Sequence, residues 1–244
     1  MNKLSSFLVC ATFAVYPIAA KKAPPTLQPV NLGSAASFAV FGGSGVSCTG
    51  NTVITGDLGV YPSPGTAVTG FFTDDGGTGP CKVIGNIQDN DTGPETTAAK
   101  HAAASLGIAI TDALGRPCPA GQNCALAGEL SGLTITPGVY TNSGVVTISG
   151  PVYLSGKGVY IFQIAGGLIV NSGTVVLENG AQAADVFWVT TQATLNTALA
   201  FEGNILSTTS ITFPWSSGGT ALTGRALAQT NVTFAAGDTV TLPK

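Results

Sequence analysis

Charge is what this sequence lacks most. Of 244 residues only 9% are charged, nine Lys and Arg against twelve Asp and Glu, where an ordinary globular chain carries about 25%. There is one His and one Met. Nine scattered basic residues, a net charge of −3 and a pI near 4.9 argue against a nucleic-acid partner, which needs a basic face. After residue 20 no apolar run approaches the roughly 18 residues that a membrane span requires, so no membrane partner is expected. Disorder is excluded as well, because 44% of the chain is hydrophobic and disorder needs the opposite balance. What is abundant is Gly (33 residues) and Thr (31 residues), and the glycines have no period of three, so a collagen-like chain is ruled out. The surface must therefore be covered by Thr, Ser, Asn, Gln, Gly and Ala.

Residues 1–20 read as a secretory signal, with Lys3 as the positive end, Leu4 to Val15 as the apolar stretch and Ile18-Ala19-Ala20 before the cut. Its removal takes Lys3 and Cys10 and leaves eight basic against twelve acidic residues. The expected protein is secreted, with residues 21–30 as a Pro-rich leader and 31–244 as one domain. Four cysteines then remain: Cys48, Cys81, Cys118 and Cys124. An even number in an exported chain implies disulfides. Of three pairings we favour Cys118–Cys124, closing the short loop CPAGQNC, and hence Cys48–Cys81. No CxxC exists and His101 is the only His, so no metal site and no cofactor are expected.

Residues 94–114 predict the only good helix. Thr92 or Asp91 can cap it, Pro94 suits its first turn and Glu95 its dipole. Ala99, Ala103, Leu106, Ile110 and Ala113 form one apolar stripe, and the many alanines suit close approach to a flat neighbour. The polar face lacks the basic residues of a membrane-surface helix.

Elsewhere short strands alternate with Gly turns. From residue 159 onward the segments repeat: VYIFQIAGGLIV, VFWVTTQATL from 186, ILSTTSITF from 205 and ALAQTNVTF from 226. A period of about 20 residues built from strands indicates a β-solenoid, in which each coil buries its apolar side only by stacking. Alignment on the repeat places Leu195, Phe213 and Phe234 in one inward column, and Trp188, Leu206 and Leu227 in another. Thr194, Thr212 and Thr233 then share an outward column, and Thr191, Thr209 and Thr230 a further one. The tetrads TQAT (191–194), TSIT (209–212) and TNVT (230–233) are stacked, with GVVT (144–147) and GGLI (166–169) in the same slot. The two inward columns have mismatched parity, which requires a corner or bulge between them. A second pattern, TVITG (52–56), TAVTG (66–70) and TALTG (220–224), marks this face or another.

The run NLGSAASFAVFGGSGVSCTGNTVITGDLGVYPSPGTAVTGF, then VIGNI, the Ala-rich helix, LTITPGVYT, VYIFQIAGGLIV, NGAQAADVFW, FEGNILSTTSITF and GRALAQTNVTF, resembles the microbial secreted ice-binding proteins (the DUF3494 family) from about Asn31 to Leu242. The resemblance implies a mostly β fold: a right-handed, discontinuous parallel β-helix of triangular section, with one long α-helix packed alongside. It also implies that a flat face binds ice. Carried onto this chain, that face comprises Ser47, Thr49, Thr147, Thr191, Gln192, Thr194, Thr209, Ser210, Thr212, Thr230, Asn231 and Thr233. Many relatives show Thr-x-Thr where this chain has Ser47-Cys48-Thr49; a disulfide at Cys48 alters that end of the face.

The residue types suit the task. Ice is a flat, periodic, uncharged array, and stacked coils repeat at about 4.8 Å, close to spacings in ice. Thr offers a methyl group and a hydroxyl on a stiff side chain, so little rotamer freedom is lost on contact. Near the tetrads only Asp185, Glu202 and Arg225 are charged. The expected partner is the ice surface, bound by a monomer. The rival classes are a carbohydrate-binding or carbohydrate-cleaving β-helix and a secreted adhesin. Cleavage needs paired acids or bases. Asp74, Asp75, Asp89 and Asp91 cluster in sequence, but they read as a solvated loop and helix cap, and Asp89-Asn90-Asp91 lacks the Gly and Glu of a calcium loop. The chain is therefore expected not to be an enzyme. Asn231-Val232-Thr233 and Asn90-Asp91-Thr92 are glycosylation sequons, the first of them on the proposed face.

Overall fold

The computed structural model describes residues 27–72, 79–91, 94–215, 218–235 and 237–244. The signal and the start of the leader (1–26), Asp74 and Asp75, and the cap candidate Thr92 lie outside these residues. All strand pairs are parallel, and they stack as coils with three sides. The coils begin at Thr134–Ile135, Gly138–Asn142 and Val146–Ile148. Pro151–Ser155 with Tyr160–Val170 form the next, then Gly173–Glu178 with Val186–Leu195. Ala198–Ser207 with Ser210–Phe213, and Ala221–Ala228 with Asn231–Phe234, follow.

The next coil is shared by the two ends of the chain. Thr239–Thr241 supplies one side, and the amino-terminal strands Phe38–Gly42 and Gly45–Cys48 supply the other two. Val40 pairs with Ala226 and Val232 with Val46. The strands Val53–Thr55, Asp57–Val60 and Val68–Thr69 extend the stack, and Cys81–Ile84 with Ile87–Gln88 lie beyond them. This is the expected discontinuous β-helix: the chain begins inside the stack, reaches one end, and must return to the other.

The helix makes that return. It spans Pro94–Gly115, 22 residues, or about 33 Å at 1.5 Å per residue. On the side it covers, the strands from Ile87–Gln88 to Gly138–Asn142 form eight rungs, hence about 34 Å at 4.8 Å each. The two lengths match, so one helix spans the stack. Its predicted stripe is buried at Ala99, Leu106, Ile110 and Ala113 and half-buried at Ala103. It packs on Ile161, Phe187, Val189, Leu206 and Leu227. Gln163 Nε2 donates to the carbonyls of Ala113 (2.7 Å) and Arg116 (2.8 Å), closing the last turn. Arg116 pairs with Asp112 at 2.6 Å and also donates to the carbonyls of Gln28 and Pro29. With Val30 buried in the same cluster, the end of the leader is packed against the helix. Asp91, the other cap candidate, accepts the Gly65 N–H (3.3 Å).

Inside the coils the side chains form ladders. Phe162 stacks on Trp188 at 4.0 Å between ring centres, and Phe213 on Phe234 at 4.6 Å. Leu195, Phe213 and Phe234 share an inward column as expected, all fully buried. The second expected column is wrong by one residue. Trp188 pairs with Ile205 and then Ala226, while Leu206 pairs with Val189 and Leu227. The leucines therefore point away from the coil interior and are buried by the helix. At the corner leading to the helix side, Gly224 stacks on Gly203; a Cβ there would lie 1.8 Å from the Gly203 oxygen, so only Gly fits. The favoured disulfides are the ones formed, Cys48–Cys81 and Cys118–Cys124. The first ties the strand Gly45–Cys48 to the strand Cys81–Ile84 on another side of the stack.

Candidate functional site

One side of the stack is occupied by the helix, which leaves two faces open. The face carrying the tetrads is built from Val146–Ile148, the ends of Tyr160–Val170 and Val186–Leu195, then Ser210–Phe213, Asn231–Phe234, Gly45–Cys48 and Val68–Thr69. Alternation along each strand sends Ala193, Leu195, Ile211, Phe213, Val232 and Phe234 inward, where each is at most 1% exposed. The residues between them must point out.

Those outward residues form two columns. Thr194 pairs with Thr212, Thr212 with Thr233, Thr233 with Ser47 and Ser47 with Thr69. Ser210 pairs with Asn231 and Asn231 with Gly45, and Gln192 lies level with Ser210. No register shift interrupts the pairings from Ala193 to Thr69. Rungs along a column lie about 4.8 Å apart, and the columns about 7 Å apart, two residues along a strand. Neither column carries a charged residue. At the far end the columns continue into Ile169 with Thr147 and Gly167 beside Val145, so GVVT and GGLI do share the slot and make that end aliphatic.

The hydroxyl roles divide the predicted residues. Thr209 Oγ1 donates to the Thr191 carbonyl and Thr230 Oγ1 to the Thr209 carbonyl, one coil to the next. Thr209 N–H bonds Thr191 O and Thr230 N–H bonds Thr209 O at 2.9 Å each. Thr191, Thr209 and Thr230 therefore form a stacked column at the corner, with the Thr209 and Thr230 hydroxyls spent on the backbone. Thr147 Oγ1 donates to Gly128 O (3.0 Å) and Ser47 Oγ to Thr233 Oγ1 (3.3 Å), while Thr49 is an exposed residue just past the face. Among the described residues the hydroxyls of Thr194 and Thr212 have no protein partner and are turned to solvent. Gln192 and Asn231 are exposed on the neighbouring column. Thr69 and Gly45 complete the face but were absent from the expected set. Thr69 had a signal in TAVTG, whose face was left open; Gly45 had none. The other two motifs of that pattern lie on the remaining face, where Thr223 pairs with Thr241 and Thr241 with Thr55.

Among the described residues, the groups that a hydrolytic site would need are not gathered on this face. His101 is exposed on the helix. Glu129 stands at the aliphatic end, level with Thr147. It accepts the Ser131 hydroxyl (2.5 Å) and the Ser149 hydroxyl (3.0 Å). The Ser131 hydroxyl is the leading reason its carboxyl is held below the usual carboxylate range. Asp89 Oδ1 takes the Asp91 N–H (2.8 Å), the short turn expected of a solvated loop. Asn90 of the second sequon is half-buried and donates to Pro62 O (2.7 Å).

Comparison with known proteins shows the family and the fold. The family model described as ice-binding-like matches residues 40–241. An ice-binding protein of Flavobacterium frigoris (strain PS1) is 37% identical over 240 residues, covering 93% of this chain and 82% of that protein. Ice-binding protein K3-B1 of Typhula ishikariensis is 34% identical, covering 87% and 89%. Among solved structures, an ice-binding protein from an Antarctic biological consortium superposes with a TM-score of 0.77 at 33% identity, covering 95% of this chain and 97% of that one. A glycosylated ice-binding protein from an Arctic yeast gives a TM-score of 0.79 at 30% identity, covering 90% and 96%. By the extent of these matches, the chain belongs to the ice-binding-like family.

Proposed function

We propose that this protein binds ice crystals through the threonine face, as a secreted monomer without enzymatic activity, and that adsorption there gives thermal hysteresis and inhibits recrystallisation. The single observation that carries the reading is the pair of uncharged outward columns in unbroken register, centred on Thr194, Thr212 and Thr233. Each contact with a lattice is weak. A rigid array whose side chains were ordered at folding sums such contacts without a large further entropy cost. Thr and Ser keep a compact, stiff profile, whereas Lys or Glu would lose much side-chain freedom on contact. The Thr194 and Thr212 hydroxyls are turned to solvent, where they can join an ordered water layer. The corner threonines contribute their methyl groups and the fixed edge of the array. The test is Thr212→Tyr, a substitution at an outward position that leaves the core untouched. Loss of hysteresis and of ice-crystal shaping with an unchanged circular dichroism spectrum is expected; wild-type hysteresis in this variant would move the binding site off this face.

A further inference from the structure

The corner between the helix side and the threonine face differs from coil to coil in one respect. Five coils cross it in three residues, from Asn142 to Val145, Ile164 to Gly167, Ser207 to Ser210, Ala228 to Asn231 and Gly42 to Gly45, and the coil of Asp57–Val60 takes seven, from Val60 to Ala67. The coil of Val186–Leu195 crosses it in two, from Thr190 to Gln192. A strand that loses one residue sends every later side chain to the opposite side. That does not happen here. Trp188 and Ala193 both point inward five residues apart, where Ile205 and Ile211 point inward six apart. The short corner therefore contains a local irregularity, as register shifts require.

The inner position of this corner is a column of its own: Ile164, Thr190, Ser207, Ala228 and Gly42 in successive coils. Hydroxyl groups occur in it only at the short corner and in the coil beside it. Thr190 is 1% exposed and Ser207 fully buried. Thr190 Oγ1 donates to Gln192 O (3.0 Å). Ser207 Oγ lies 2.7 Å from Thr191 O and 3.1 Å from Ser210 O, and accepts the Thr209 N–H (3.2 Å). Gln192 and Ser210 are the first outward rungs of the threonine face in their coils. The two buried hydroxyls thus tie the first rungs to the inside of the corner where one coil is a residue shorter than the coils on either side of it.

We propose that Thr190 and Ser207 are positioning residues for ice binding, holding the two-residue corner so that Gln192 and Thr194 stay in register with Ser210 and Thr212. The proposal rests on the threonine face being the ice-binding face. A binding array must be held to about 0.5 Å to act as a unit, and removing these hydroxyls takes a donor from Gln192 O and from the Thr191 and Ser210 carbonyls that Ser207 Oγ faces. The corner would then relax by moving the rungs it carries.

The test uses the full chain with Thr190→Val, Ser207→Ala and the double variant, measured for thermal hysteresis near 0 °C, for the ice plane adsorbed, and for thermal stability. Near 0 °C a modestly destabilised variant is still folded, so stability alone does not lower activity. Ile205→Val, an inward residue on the helix side, supplies a control with a comparable loss of stability. The double variant is expected to lose hysteresis at least about five-fold, given the tight tolerance of a preorganised array. Thr190→Ser, which restores a hydroxyl, is expected to keep it, as is Ile205→Val. Wild-type hysteresis in the double variant, or an equal loss in Ile205→Val, overturns the proposal. If the double variant loses its β-sheet circular dichroism, the single variants are judged by the same criterion. Thr212→Tyr separates the two readings. If it is inactive while the double variant is fully active, the positioning role fails and the face stands; if it is fully active, the face itself fails.

Discussion

The two open faces are made by the same coils at the same spacing, yet only one presents a long uncharged array in unbroken register. The threonine face runs from Thr194 to Thr69 without a register shift. The other open face has an irregularity between Gly173 and Thr174. It also places Glu202 beside Thr223 and Lys82 beside Val53. Both have threonine columns, since Thr223, Thr241 and Thr55 stack as neatly as Thr194, Thr212 and Thr233. Threonine content alone therefore does not define the site. What separates the faces is the length of the uncharged, in-register patch.

The sharpest way to break this comparison is to place one bulky ring on each face. Thr212→Tyr should lower thermal hysteresis roughly ten-fold, because contacts of an array fail together when the centre is lifted, while Thr241→Tyr on the other face should leave it near wild type. Equal losses would mean that both faces bind. Next in size is Cys48→Ser with Cys81→Ser, which unties the threonine face from its neighbour. Opening a bridge between residues 33 apart should cost about 3–4 kcal/mol by loop entropy, read as a fall in melting temperature. Hysteresis should fall less than in Thr212→Tyr, because only Ser47, Thr49 and Thr69 lie near the bridge. A charge gives a finer contrast: Ser210→Lys should reduce activity about two- to three-fold through the entropy of a long side chain, and Thr239→Lys should not.

The smallest effect concerns pH. Burial raises the Glu202 carboxyl above its usual value, with a hydrogen bond from Thr223 opposing. A folded-state value above the unfolded one means a contribution fully present below the unfolded pKa and lost as pH rises through the folded one. Melting temperatures of the wild type and Glu202→Gln should therefore diverge slightly between acid and neutral pH, with the variant gaining. Hysteresis should not follow, because Glu202 lies on the other open face and the threonine-face columns from Thr194 to Thr69 contain no titratable group.

Much of the fold was legible because its signals are local or periodic. Gly turns, the 20-residue repeat and the alanine stripe each depend on a few neighbouring residues, and the disulfide pairing followed from one short loop. The one-residue error at Trp188 has a physical cause. Counting back from Thr191, Thr209 and Thr230 assumes corners of equal length, and the corner after Thr190 is one residue short. The parity mismatch showed that an irregularity exists, but its position depends on how Val186–Leu195 pairs with the coils on either side of it. The site was legible in its centre and not at its edges. Thr194, Thr212 and Thr233 recur within the repeat, whereas Thr69 and Gly45 join the face by pairing across the break in the chain.

The sequence by itself determined that this chain forms strands stacked with a period near 20, turns uncharged side chains outward in columns, and contains one long helix with an alanine stripe. Those properties come from alternation, turn residues and helix periodicity, which act over a few residues. Only the tertiary structure decided that the two chain ends share one coil, that the helix covers the side carrying Leu206 and Leu227, and that TVITG and TALTG fall on a different face from TAVTG. These outcomes depend on which edge strand pairs with which, and pairing between residues as distant as Phe234 and Cys48 is settled by burying both segments in one continuous core.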